Sequence, residues 1–223
     1  MTAGFFITFE GPEGGGKSTQ VQLLSEALAR HSVPHVTTRE PGGTETADAL
    51  RQILLDCRTR DLGSRAELLL LEAARADHVR RVIRPNLDRG LVVICDRFTD
   101  SSVAYQGGGR GLDPAVVGRL NDFATDGLHP DLTVLIDVDP EEGLHRAGRQ
   151  GALQLDRLES AGLDFHLRVR AAFLTLARNE PERFVVVDGR RSVPEVAVTI
   201  LDAFLARYEE SDETAVRCGE VAR

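Results

Sequence analysis

Apolar positions along the chain follow two periods. Short β-prone runs stand at Phe5–Phe9, His35–Thr38, Leu91–Cys95, Leu132–Val138 and Phe184–Val187, each about the length of one strand. Between them apolar residues recur at helical spacing, as Val21, Leu24 and Leu28 do after the first run, and predict further helices at roughly 45–57, 65–84, 114–126, 158–180 and 193–208. Runs such as Leu91-Val92-Val93-Ile94 show no alternation, which marks strands covered on both faces. Strands alternating with helices in this way predict an α/β fold: a five-stranded parallel sheet flanked by helices on both faces. No linker-like stretch divides residues 1–208, so a single domain is expected, followed by a polar, weakly patterned segment at 209–223 that reads as a flexible tail.

Composition narrows the class. Of the 223 residues 42% are hydrophobic and 28% charged, and no apolar run reaches the length of a membrane span. The first residues lack the basic and apolar stretches of a secretory signal, which gives the expectation of a cytoplasmic protein with no membrane partner. Cys57, Cys95 and Cys218 lie far apart without CxxC spacing and are expected to be reduced, and the six histidines show no helical metal-pair spacing. A net charge of −8 argues against a nucleic-acid partner, because binding a phosphate backbone takes a dense basic surface. Among the 27 basic residues, Lys17 is the only lysine. That position asks for something arginine does not supply, a compact ammonium charge.

Lys17 belongs to the run Gly11-Pro12-Glu13-Gly14-Gly15-Gly16-Lys17-Ser18, which matches GxxxxGK[ST] and sits between a predicted strand and a predicted helix. In a P-loop NTPase such a turn aims successive backbone N–H groups at polyphosphate, with the positive end of the next helix behind them. Lys17 is then placed on the β- and γ-phosphates of ATP and the Ser18 hydroxyl on Mg²⁺, with Thr19 alongside. Kinases, GTPases and motor ATPases share this loop, so function has to be read from the rest of the site.

The third predicted strand runs into Asp96-Arg97-Phe98, at the carboxyl end where open α/β sheets gather their ligands. Asp96 is a candidate to hold Mg²⁺ directly or through water. Asp137 competes for that role, but its simpler reading is to cap the helix that starts near Pro140. Arg97 is either the salt-bridge partner of Asp96 or a second phosphate subsite, since a guanidinium suits bidentate phosphate binding. Ser101, Ser102, Tyr105 and Gln106, followed by Gly107-Gly108-Gly109-Arg110-Gly111, supply neutral donors and acceptors able to read a base or sugar, or else form a flexible polar loop.

The runs FEGPEGGGKST, TREPGGT, DRFTDSSVAYQGGGRG and DRLE, in this order across residues 5–159, resemble the bacterial thymidylate kinases. That resemblance implies a P-loop nucleoside monophosphate kinase with ATP and dTMP as substrates, a homodimeric assembly, and a short lid at about 146–157. It implies that Glu13 contacts the 3′-hydroxyl of dTMP and that Arg39, Glu40, Arg51 and Arg97 line the acceptor-phosphate region. It also implies that Arg75, Ser102 and Gln106 read the thymine edge, with Tyr105 near the deoxyribose. Arg51 could otherwise be a solvated helix charge, and Arg75 the i,i+3 partner of Glu72.

Two positions depart from the pattern. Leu71 stands where many relatives carry an aromatic residue that stacks on the thymine, and Gly14 stands where some carry a loop arginine. The arginine for the transferring phosphoryl group is therefore expected in the lid, with Arg149 between Gly148 and Gly151 the first choice and Arg146 and Arg157 the alternatives. A phosphate monoester with a second pKa near ~6 is already largely dianionic at neutral pH, so no general base is expected. Rival readings are a kinase for dUMP or UMP, or a P-loop switch or motor; against the last two stand the lack of an NKxD motif and of a second large domain.

Overall fold

The first strand sets the layering, because its neighbours on both sides are strands and its side chains alternate between two covered faces. In the computed structural model β1 (Phe5–Glu10), β2 (His35–Arg39), β3 (Val92–Asp96), β4 (Leu132–Asp137) and β5 (Phe184–Asp188) form one parallel sheet in the order β2-β3-β1-β4-β5. The structure describes residues 4–59, 61–149 and 161–221, with the side chains of Cys57, Arg149 and residues 211–221 outside that description. The helices are α1 (Lys17–Arg30), α2 (Glu45–Leu55), α3 (Ser64–His78), α4 (Arg84–Leu87), α5 (Thr99–Ser102), α6 (Pro114–Thr125), α7 (Pro140–Arg149), α8 (Leu163–Asn179) and α9 (Val193–Val221). Wider π-helical turns occupy Val79–Ile83, between α3 and α4, and Val103–Gly109, after α5.

Phe5, Ile7 and Phe9 point to the face covered by α1 and α9, where they meet Leu24, Leu28, Ile200 and Phe204. Phe6 points the other way, into a cluster with Val79, Ile83, Val93 and Phe98. Farther along that second face Ala104, Tyr105 and Leu135 pack on Phe165, Val169 and Phe173 of α8. Burial on both faces is the physical reason the runs of β1, β3 and β4 are apolar without alternation, whereas the edge strand β2 is half-exposed and polar. No helix among the described residues is long and apolar enough to cross a membrane.

The helix predicted at 65–84 is α3 together with the first π turn and α4, and the chain leaves it through Gly90 at positive φ. The larger difference is Thr99–Gly109, where a loop had been the alternative and the chain is helical throughout. Its glycines serve close packing: a Cβ at Gly108 would stand 2.7 Å from Ala172, and one at Gly109 would stand 2.4 Å from the Phe165 ring. The helix predicted at 158–180 is described from Leu163, residues 158–160 lying outside the described set. The segment expected as a flexible tail continues the backbone of α9 as far as Val221.

Register fixes what meets at the carboxyl ends. Phe9 and Arg39 both pair with Asp96, so the chain segments leaving β1, β2 and β3 emerge side by side.

Candidate active site

After Glu10 the chain turns through Gly11–Gly16 and enters α1 at Lys17. Lys17 Nζ folds back and donates to the carbonyls of Gly11 (3.1 Å) and Pro12 (2.8 Å). The side chain is only 7% exposed. Burial, with the charge of Arg97 added, lowers its pKa to about 8, although Glu13, Asp96 and Glu10 pull the other way. One residue on, Ser18 Oγ donates to Asp96 Oδ2 at 2.6 Å. A hydroxyl and a carboxylate thus converge beside the loop, an all-oxygen donor set that suits Mg²⁺.

Gly14 has φ of 68°, and a Cβ there would fall 1.9 Å from the carbonyl oxygen of Gly143 in α7. A Cβ at Gly143 would in turn fall 2.2 Å from the Glu13 carbonyl. The loop rests on α7 through these two glycines, and this arrangement leaves no room for an arginine at position 14.

Arg97 adopts φ of 71°, a left-handed conformation uncommon in residues other than glycine. Its backbone is pinned on both sides, its own N–H donating to Phe9 O at 2.9 Å and that of Phe98 to Glu10 Oε1 at 2.8 Å. Turned this way, the guanidinium leaves its neighbour Asp96 and donates to Glu13 Oε1 at 2.6 Å, and to the Gly11 carbonyl and Ser101 Oγ at 3.2 Å. It lies 5.1 Å over the Tyr105 ring, and the Tyr105 hydroxyl donates to the same Glu13 oxygen at 2.9 Å. Of the two readings open for Arg97, a salt bridge to Asp96 is therefore not what forms. Burial would raise the Glu13 carboxyl, but Arg97 and then Lys17 outweigh it and bring its pKa down to about 2.

A cavity of about 700 Å³ is lined by Lys17 and Ser18, by Arg97, and by Leu71, Arg75 and Gln106. That size suits a small organic ligand. Arg75 is 2% exposed and held from every side. Its Nε donates to Glu40 at 2.8 Å, one terminal nitrogen to Glu72, Ser102 and Asn121 at 2.7–2.9 Å, and the other to the Phe98 carbonyl at 3.1 Å. The i,i+3 pair with Glu72 exists, and so does the place on the cavity wall. Glu40 is fixed by Arg75 and by His78, whose Nδ1 lies 3.0 Å from it while Nε2 lies 2.6 Å from Thr38 Oγ1. With Nδ1 carrying the proton, that ring nitrogen donates to Glu40 and Nε2 accepts from Thr38. Arg51 reaches the Pro41 carbonyl at 2.9 Å, and Arg39 lines the cavity from an exposed position.

Other expectations resolve differently. Both oxygens of Asp137 engage Arg170, at 2.7 and 2.8 Å, and the residue that caps α7 is Asp139, which accepts from the Glu141 N–H at 3.0 Å. Arg146 pairs with Glu142 and donates to the Gly189 carbonyl at 2.8 Å. The side chain of Arg149 and all of Arg157 lie outside the described residues. A second cleft, of about 470 Å³, lies against Gly14–Gly16 and is walled by Arg146, Arg191, Ser192 and Val193; nothing in the sequence pattern pointed to it.

The sequence reading also passed over Glu10, His78, Glu67 and Asn121, all buried. Glu10 accepts from the N–H groups of Phe98 (2.8 Å) and Ser101 (3.2 Å) and bonds the Ser101 hydroxyl at 2.6 Å; burial, then Asp100, push its pKa up to about 8. One signal was available, a carboxylate closing an otherwise apolar strand.

The family model described as Thymidylate kinase matches residues 9–200. A thymidylate kinase of Geotalea uraniireducens (strain Rf4) is 50% identical over 212 residues, covering 93% of this chain and 99% of that protein. One of Enterococcus faecalis (strain ATCC 700802 / V583) is 46% identical over 209 residues, covering 93% and 99%. The crystal structure of thymidylate kinase from Ehrlichia chaffeensis superposes with a TM-score of 0.74 at 35% identity, covering 91% of this chain and 99% of that one.

Proposed function

The chain belongs to the thymidylate kinase family, and from that premise we propose that it transfers the γ-phosphoryl group of ATP to the phosphate of dTMP, releasing dTDP and ADP. The observation that carries this reading is the Arg97–Glu13–Tyr105 cluster, in which an acid inside the phosphate loop is bonded by residues of the segment after β3. Donor and acceptor halves of one cavity are thereby joined at the reacting phosphates.

Lys17 and the loop amides bind the β- and γ-phosphates, and Ser18 and Asp96 are the residues that would hold Mg²⁺, whose charge offsets that of the polyphosphate. Arg97, with Arg39 and Arg51 farther out, faces the acceptor phosphate. Glu13 meets the sugar 3′-hydroxyl and Tyr105 crowds the 2′ position, disfavouring ribonucleotides. Arg75, Ser102 and Gln106 read the base edge, which packs on the aliphatic Leu71. The second cleft takes the base of ATP, between Arg146 and Val193. The acceptor is already a dianion, so catalysis rests on positioning and charge neutralisation in a site closed to water. Arg149 in the lid supplies the remaining cation.

The same reading extends to assembly and place. Phe123 is 85% exposed and Leu69 57%, with Val116 two turns from Phe123; α3 and α6, which carry them, pack on each other. This apolar face supports a homodimer. The same reading places the enzyme in the cytoplasm, where a thiol such as that of the buried Cys95 stays reduced.

ADP release from ATP, measured with dTMP, with UMP and with no acceptor, tests the function. Fast release with dTMP, slow with UMP and negligible without acceptor is expected; equal release in all three would make the protein an ATPase. In the same assay Arg149→Ala is expected to lower kcat by roughly 10³-fold with little change in ATP binding.

A further inference from the structure

We propose that Glu67, a carboxylate fully buried behind the cavity wall, is a positioning residue that sets base choice by fixing which way the Gln106 amide faces. The proposal rests on the reading that the cavity takes a pyrimidine nucleotide. Glu67 lies in the first turn of α3, and its Oε1 accepts from Gln106 Nε2 at 2.7 Å and from Arg110 Nε at 3.3 Å, while Oε2 accepts from Arg110 at 3.1 Å. A carboxylate only accepts, so the end of Gln106 that faces it has to be the NH₂ group. With that end on Glu67, the carbonyl oxygen is turned to the cavity, whose wall Gln106 helps to form. Position 106 therefore presents an acceptor.

Arg75, on the same cavity, presents the opposite. Its Nε–H goes to Glu40, one terminal nitrogen to Glu72, Ser102 and Asn121, and the other to the Phe98 carbonyl, leaving one N–H of that last nitrogen among the described residues. A guanidinium never becomes an acceptor. An imide edge, a ring N–H beside a carbonyl, satisfies both groups. The amino-pyrimidine edge of cytosine reverses both, setting donor against donor and acceptor against acceptor. Arg75 keeps its sense through its charge. Gln106 keeps its own only while its amide is stopped from a half-turn, which would set its carbonyl against the Glu67 carboxylate. Arg110, 4.8 Å over the Phe165 ring, holds that carboxylate from the other side.

Glu67→Gln keeps the shape but can donate as well as accept, so it frees the amide to turn. We would measure kcat/KM for dTMP, dUMP and dCMP in wild type and variant, with thermal unfolding to confirm the fold. The dTMP-to-dCMP ratio is expected to fall by about tenfold, the size of one net hydrogen bond, while the dTMP-to-dUMP ratio stays as it was, since both present an imide edge. A proportional loss for all three substrates overturns the proposal. The double exchange of Glu67→Gln with Gln106→Glu makes position 106 an acceptor again and is expected to restore the ratio; a folded double variant without discrimination also overturns it. A wild-type enzyme inactive on dTMP removes the functional reading itself, an outcome distinct from either.

Discussion

Lys17 Nζ lies 2.8 Å from one loop carbonyl and 3.1 Å from another, a fit that a planar guanidinium with its larger head does not reproduce. Lys17→Arg is therefore expected to keep the fold and lower kcat with ATP and dTMP by at least about 10²-fold, the scale on which ångström misplacements act. Steady-state kinetics beside a thermal melt checks this, and near wild-type turnover would show that charge alone suffices. This residue was legible in the sequence because composition isolates it. The partner of Arg97 was not, because it depends on one backbone angle: at φ of 71° the side chain leaves the adjacent Asp96 for Glu13, 84 positions away. Likewise Arg75 could be assigned to a helix face, but not its bonds to Glu40, just past β2, and to Asn121 in α6.

At the level of elements, Glu10 joins the end of β1 to the start of α5 through the N–H groups of Phe98 and Ser101. Its folded-state pKa is raised from 4.5 to about 8, so the folded chain binds a proton that the unfolded chain releases between those values. The stabilisation this gives is complete below about pH 4.5 and lost as pH rises through about 8. Glu10→Gln mimics the protonated carboxyl at every pH. Urea unfolding from mildly acidic to mildly alkaline pH should then show wild type losing stability relative to the variant, and parallel curves would mean that Glu10 is ionised in the fold. The five strands were legible to within about one residue, β1, β3 and β4 because doubly covered strands leave unbroken apolar runs and the half-exposed edge strand β2 through its β-branched Val36, Thr37 and Thr38. The helical course of Thr99–Gly109 was not, because glycines that admit Ala172 and Phe165 look, along the sequence alone, like glycines of a loop.

For the molecule as a whole, periodicity established a parallel sheet but not the order β2-β3-β1-β4-β5, which depends on how the helices pack. That order is what brings Arg39, Asp96 and the phosphate loop to one edge. The exposed face of α3 and α6 makes a prediction at this scale. Phe123 is 85% exposed, so Phe123→Glu has almost no fold to disturb, yet a charge placed opposite its own copy disfavours a symmetric interface. Sedimentation is expected to show a dimer for wild type and mainly monomer for the variant, and a monomeric wild type would remove the dimer proposal.

The contact between Gly14 and Gly143 also bears on how such a chain can change over generations. Gaining a loop arginine by a single codon change at position 14 would drive its Cβ to 1.9 Å from a backbone oxygen, and no change of side chain at position 143 moves that oxygen away. A lineage carrying this pair of glycines must first displace a helix before the substitution becomes tolerable. In this chain the two positions are thus epistatically coupled, the side chain allowed at one depending on where the backbone of the other lies.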